Sequence, residues 1–119
     1  PIAVAAGNAA LEKLLNKPPF KGLEESSSKI ITLLKRYFKD KNLPVSFNRA
    51  GSIFSFFFSE RTPENFREVS KTNLENFDRV FTQLLKKGIL LPPSPYESCF
   101  VSTEHNNTLH LELEKILLN

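Results

Sequence analysis

VSFNRAGSIFSFFFSE, residues 45–60, is the stretch on which the fold class turns. Val45, Phe47 and Arg49 alternate with Ser46 and Asn48, and Gly51-Ser52 is a turn pair, so the stretch reads as two antiparallel strands. In the second strand Phe54, Phe56 and Phe58 share one face, while Ile53, Ser55 and Phe57 share the other. Large apolar groups point both ways, and the strand is expected to be covered on both sides.

Upstream, Ile30, Leu34 and Tyr37, with Ile31 and Phe38 beside them, recur at helical spacing and predict a helix over residues 22–42. Asn42 and Pro44 end it, because the residue before proline avoids helical geometry. Before it, PIAVAAGNAALEKLLNK predicts a helix over residues 1–16, with a small face of Ile2, Ala5, Ala6 and Ala9 grading into Leu11, Leu14 and Leu15. A helix with nothing ahead to cap it reads as the continuation of a longer chain.

Downstream, residues 60–71 are polar, with Pro63 inside, and read as a loop holding one helical turn. Thr72-x-x-Glu75 has capping-box spacing, and Leu74, Phe77, Phe81 and Leu84 form one face of a helix that Gly88 stops. Residues 89–91 are expected as a short strand, PPSP as a rigid extended loop, and residues 98–102 as a third substantial strand. The last helix starts at Asn106 or Asn107, with a stripe of Leu109, Leu113, Ile116 and Leu117. The order predicts an α+β layer fold: a small antiparallel sheet of three to four strands with helices packed on one face. That leaves the other face of the Phe-rich strands bare.

The 119 residues suit one domain, and 40% apolar with 24% charged residues, including 11 Phe, give it a bulky core. Apolar runs such as 56–58 are far below the ~20 residues that span a bilayer, and the first residues lack the basic flank of a secretory leader. A single cysteine excludes an internal disulfide, and with two histidines it supplies no zinc framework, so a reducing, cytoplasmic setting is expected. The net charge of +3 would permit an acidic partner. However, Lys29, Lys35, Arg36, Lys39 and Lys41 are the polar complement of an apolar stripe, interrupted by Asp40, so neither a nucleic-acid nor a membrane partner is expected.

Few residues carry chemistry by pattern. Cys99 and His105 have the types of a thiol–imidazole dyad, but core filler is the commoner use of a free cysteine, and adding His110 gives no metal-ligand spacing. Asn106-Asn107-Thr108 matches a glycosylation sequon that would be idle without secretion, and Gly51-Ser52 lacks the further glycines of a phosphate loop. Glu97, between PPSP and an apolar strand and flanked by Tyr96 and Phe100, reads either as a solvated loop end or as a functional carboxylate.

Three segments, PIAVAAGNAALEKL, GSIFSFFFSE and LPPSPYESCFVSTEH, in this order and spacing, resemble the C-terminal part of the glutamate-1-semialdehyde 2,1-aminomutase family of class-III aminotransferases. The resemblance implies a dimeric fold-type-I enzyme that uses pyridoxal phosphate (PLP) to move an amino group within glutamate-1-semialdehyde, giving 5-aminolevulinate for tetrapyrrole synthesis. It further implies that residues 1–16 are a helix linking from a missing large domain and 17–119 the C-terminal small domain. The large domain of the same chain would then be the partner, holding the Schiff-base lysine and the cofactor. This fragment would be inactive alone, with no cofactor-binding or metal-binding residue of its own.

Glu97 aligns with the family's substrate-facing glutamate, where related aminotransferases place a carboxylate-binding arginine. An anion there suits a substrate that carries amino groups at both reacting carbons. Ser98-Cys99 stands where Ala-Gly is usual, and the stripe from Leu109 is offset by about one residue. Two alternatives stay open: the same domain of another class-III aminotransferase, or a stand-alone α+β module that binds a protein partner through its Phe face.

Overall fold

A computed structural model describes residues 1–118. The elements are α1 (Ile2–Asn16), α2 (Phe20–Asp40), β1 (Ser46–Ala50), β2 (Ile53–Phe57), α3 (Phe66–Val69), α4 (Leu74–Lys86), β3 (Cys99–Phe100) and α5 (Asn107–Leu118). Helix α2 starts two residues earlier than its apolar stripe suggested. The ring of Pro19 presets its φ at −85°, and its carbonyl accepts from the Leu23 amide, opening the first turn. Asn42 ends the helix with φ +53°, a conformation that asparagine tolerates, while the Leu43 amide bonds back to the Phe38 carbonyl.

The hairpin closes as its sequence requires. Ala50 pairs with Ile53, leaving Gly51 and Ser52 as a two-residue turn in which Gly51 alone takes positive φ (+60°). This is the type II′ arrangement, whose twist matches that of the flanking strands. The sheet is antiparallel in the order β1-β2-β3. Its inner face carries Phe54, Phe56 and Phe58, which join Ile30, Leu34, Phe38, Phe77, Val80, Leu84 and Leu117 in one core. Phe38 is fully buried, its ring centroid 5.4 Å from that of Phe56 and 5.3 Å from that of Phe58. Aromatic pairs at such spacing add to the energy of burial itself.

Several expectations need correction. Residues 89–91 are not a strand: Leu91 drops into the core as part of an irregular segment, and Pro92 and Pro93 have no amide to donate to a ladder. The strand expected over residues 98–102 shrinks to Cys99–Phe100, because the Ser102 amide donates instead to His105 Nδ1 in a local turn that leaves the sheet. The cap of α4 is Asn73, whose side chain accepts from the Asn76 amide; the Thr72 hydroxyl is already committed to the Val69 carbonyl. Reciprocal capping occurs at α3, where Asn65 accepts from the Glu68 amide and Glu68 in turn accepts from Asn65 Nδ2 and from the Glu64 amide.

The outer face of β2 is not covered throughout. Phe57 is buried, but Ile53 is 37% exposed, and Phe100, its partner across the β2–β3 pair, is 71% exposed. Helix α1 packs on neither face: none of its residues is buried, and Ile2 and Leu15 are more than four-fifths exposed. Among the described residues no helix is long and apolar enough to cross a membrane.

Candidate functional site

The segment 94–98 is a turn that carries one exposed carboxylate. Pro95, with its φ fixed, sits second in the turn; the Glu97 amide donates to the Ser94 carbonyl (3.1 Å) and the Tyr96 amide to Ser94 Oγ (3.2 Å). The Tyr96 ring stacks on Phe66 at the start of α3, with centroids 4.6 Å apart. From the other side Ser55 of β2 reaches the same backbone, donating to the Glu97 carbonyl (3.4 Å) and lying 3.0 Å from Ser98 Oγ. The Glu97 side chain is exposed, and no described residue pairs with its carboxylate. A fixed main chain with a free anion at its tip makes this turn the strongest candidate site.

Other candidates separate. Cys99 lies with Leu34, Phe54, Leu91 and His105 around an apolar cavity of about 370 Å³, but makes no hydrogen bond to His105. Burial pushes its thiol up to about 11, which suppresses the thiolate a nucleophile needs. His105 turns its Nδ1 to the Ser102 amide and hydroxyl, and His110 meets Ser26 instead. Among the described residues no group of three His, Cys, Asp or Glu side chains is arranged to hold a metal.

The basic residues on and just after α2 are mostly engaged within the fold. Lys29 donates to Asn107 Oδ1, Arg36 pairs with Glu114 at 3.2 Å, Lys35 lies over the Phe47 ring and Lys41 over that of Tyr37. All the lysines of the chain are solvent-exposed. Pattern reading missed two polar ties. One is the contact of Ser55 with the Glu97 turn, for which period-two alternation gave the only hint by placing a hydroxyl among apolar neighbours. The other is Arg49, which donates to the Gly51 carbonyl, Ser28 Oγ and the Glu24 carbonyl. Nothing in its local sequence signals that clamp.

Comparison with known proteins places the chain in a family. The chain is 40% identical over 117 residues to a glutamate-1-semialdehyde 2,1-aminomutase of Methylacidiphilum infernorum, covering 98% of this chain and 27% of the relative. Relatives of the same name from Thermus thermophilus (38%, over 98% of this chain and 27% of the relative) and Aquifex aeolicus (33%, over 98% and 28%) agree. The chain belongs to the glutamate-1-semialdehyde 2,1-aminomutase family, as its C-terminal small domain. It spans about a quarter of the length of the curated relatives it matches. No family profile matches it. Membership agrees with the α+β architecture, in which α2, α4 and α5 cover the inner face of a three-stranded antiparallel sheet.

Proposed function

We propose that this small domain serves a PLP-dependent aminomutase that converts glutamate-1-semialdehyde to 5-aminolevulinate in tetrapyrrole synthesis, and that Glu97 is its substrate-facing carboxylate. The single observation that carries the assignment of Glu97 is the unpaired carboxylate on a doubly anchored turn. The names of the relatives supply the reaction.

Pyridoxal phosphate would supply the electron sink for moving the amino group. We place the cofactor's imine partner outside this chain: a lysine in that role is activated by desolvation or a neighbouring cation, and the exposure of every lysine here supports that reading. The cofactor and its lysine are accordingly assigned to a large domain elsewhere in the protein, and the fragment alone is inactive. The role of this chain is electrostatic. Glu97 holds a negative charge where the migrating amino group passes between the two reacting carbons, favouring a cationic group there over a second carboxylate. The exposed Ile53 and Phe100 are read as facing that large domain rather than an unrelated protein, in a cytoplasmic homodimer.

The test is Glu97→Gln in the full-length enzyme, which keeps shape and removes charge. Turnover is expected to fall roughly 30- to 1000-fold, about 2–4 kcal/mol of transition-state stabilisation, with an unchanged melting temperature. Wild-type turnover, or a loss that tracks a lowered melting temperature, would leave Glu97 a surface residue.

A further inference from the structure

The ladder between β2 and β3 stops at the pair Phe54–Cys99, so Glu97 and Ser98 lie beyond its backbone hydrogen bonds. The segment that displays Glu97 would leave the sheet untethered were it not for Ser55. We infer that Ser55 is a positioning residue, whose hydroxyl replaces the missing rung of the ladder and so sets where the Glu97 carboxylate stands. The inference deepens the assignment of Glu97 and rests on it.

Alternation puts Ser55 on the outer face of β2, between Ile53 and Phe57, where a β-branched or aromatic residue would suit the strand better. A serine adds nothing to the core there, yet its half-buried hydroxyl has work for both its proton and its lone pairs. The Ser55 O–H donates to the Glu97 carbonyl at 3.4 Å, and Ser55 Oγ shares a hydrogen bond with Ser98 Oγ 3.0 Å away, in which either hydroxyl can donate. Two successive residues of the turn are thereby tied to the central strand through one atom. The remaining tie, the Tyr96–Phe66 stack, involves two solvent-exposed rings and holds the opposite side of the turn.

The experiment is a double-mutant cycle in the full-length enzyme, with amide exchange as a second readout. Ser55→Ala should lower kcat/KM roughly two- to tenfold, the range for losing one hydrogen bond. It should also speed exchange at residues 97 and 98. Ser55→Thr, which keeps the hydroxyl on a strand-compatible side chain, should restore both. On a Glu97→Gln background Ser55→Ala should cost nothing further, because the group being positioned is gone. The inference on Ser55 falls if Glu97→Gln cripples turnover while Ser55→Ala leaves it intact, or if the Ser55→Ala loss is equal in both backgrounds. Wild-type turnover in Glu97→Gln instead overturns the assignment of Glu97, and the positioning role with it, whatever the exchange at residues 97 and 98.

Discussion

Ser26 Oγ lies 2.8 Å from His110 Nε2 while donating its proton to the His105 carbonyl 2.7 Å away, so one buried hydroxyl joins α2, the loop before α5 and α5 itself. With that proton spent, His110 must present Nε2–H. Its Nδ1 is left as a bare lone pair, buried and without a partner among the described residues. Protonation would place an N–H where no acceptor stands.

The pH dependence of stability follows from this. Burial first, then the charges of Lys29 and His105, lower the folded pKa of His110 below its ordinary 6.5. A lowered folded pKa means that the unfolded chain binds the proton more readily. The contribution is thus complete above the ordinary imidazole value and is lost as pH falls from there through the folded value. The melting temperature should drop as pH falls below about 6.5, and His110→Gln should flatten that part of the profile. An equally steep profile in the variant would place the titration elsewhere.

Cys99 should be slow to react. With its thiol pushed up to about 11 by burial, alkylation by iodoacetamide near neutral pH should be much slower in the folded protein than in denaturant, where it proceeds at the rate of a free thiol. Native-state labelling at that free-thiol rate would contradict both the burial and the assignment of Cys99 to packing.

The bare part of the outer sheet face should make the isolated chain sticky. Phe100 and Ile53 stand side by side across β2 and β3, and helix α1 adds exposed Ile2, Leu11 and Leu15. Sedimentation at rising concentration should show self-association, and Phe100→Asp should reduce it without lowering the unfolding free energy by more than about 0.5 kcal/mol, the usual range for a surface change. A strictly monomeric wild type would remove the reason to look for a covering partner on this face.

Much of this was legible from residue order. Alternation gave the hairpin and its inner face, the 3.6-residue stripes gave α2, α4 and α5, and Gly51 marked a turn that in fact needs positive φ. What failed was decided by competition for hydrogen bonds. Thr72 had the spacing of a cap, but its hydroxyl found the Val69 carbonyl first. Residues 98–102 had the alternation of a strand, but the imidazole of His105 captured the Ser102 amide. Glu97 was legible as a candidate, whereas its anchoring by Ser55 joins residues 42 apart in sequence, which no local pattern reports.

A strand with phenylalanine on both faces poses a problem of fidelity while the chain is folding. A one-residue slip of β2 would turn Ile53, Ser55 and Phe57 inward in place of Phe54, Phe56 and Phe58, and two of those three are still large and apolar. Greasiness alone therefore discriminates poorly between the right hairpin and the wrong one. Ser55 would then enter the core without a partner, at a cost of about 1–3 kcal/mol. Arg49 of β1, held to the Gly51 carbonyl and to Ser28 and Glu24 of α2, meanwhile fixes the first strand and the turn against which β2 must register. The polar residues of this hairpin act as its proofreading, rejecting a pairing that the phenylalanines would accept.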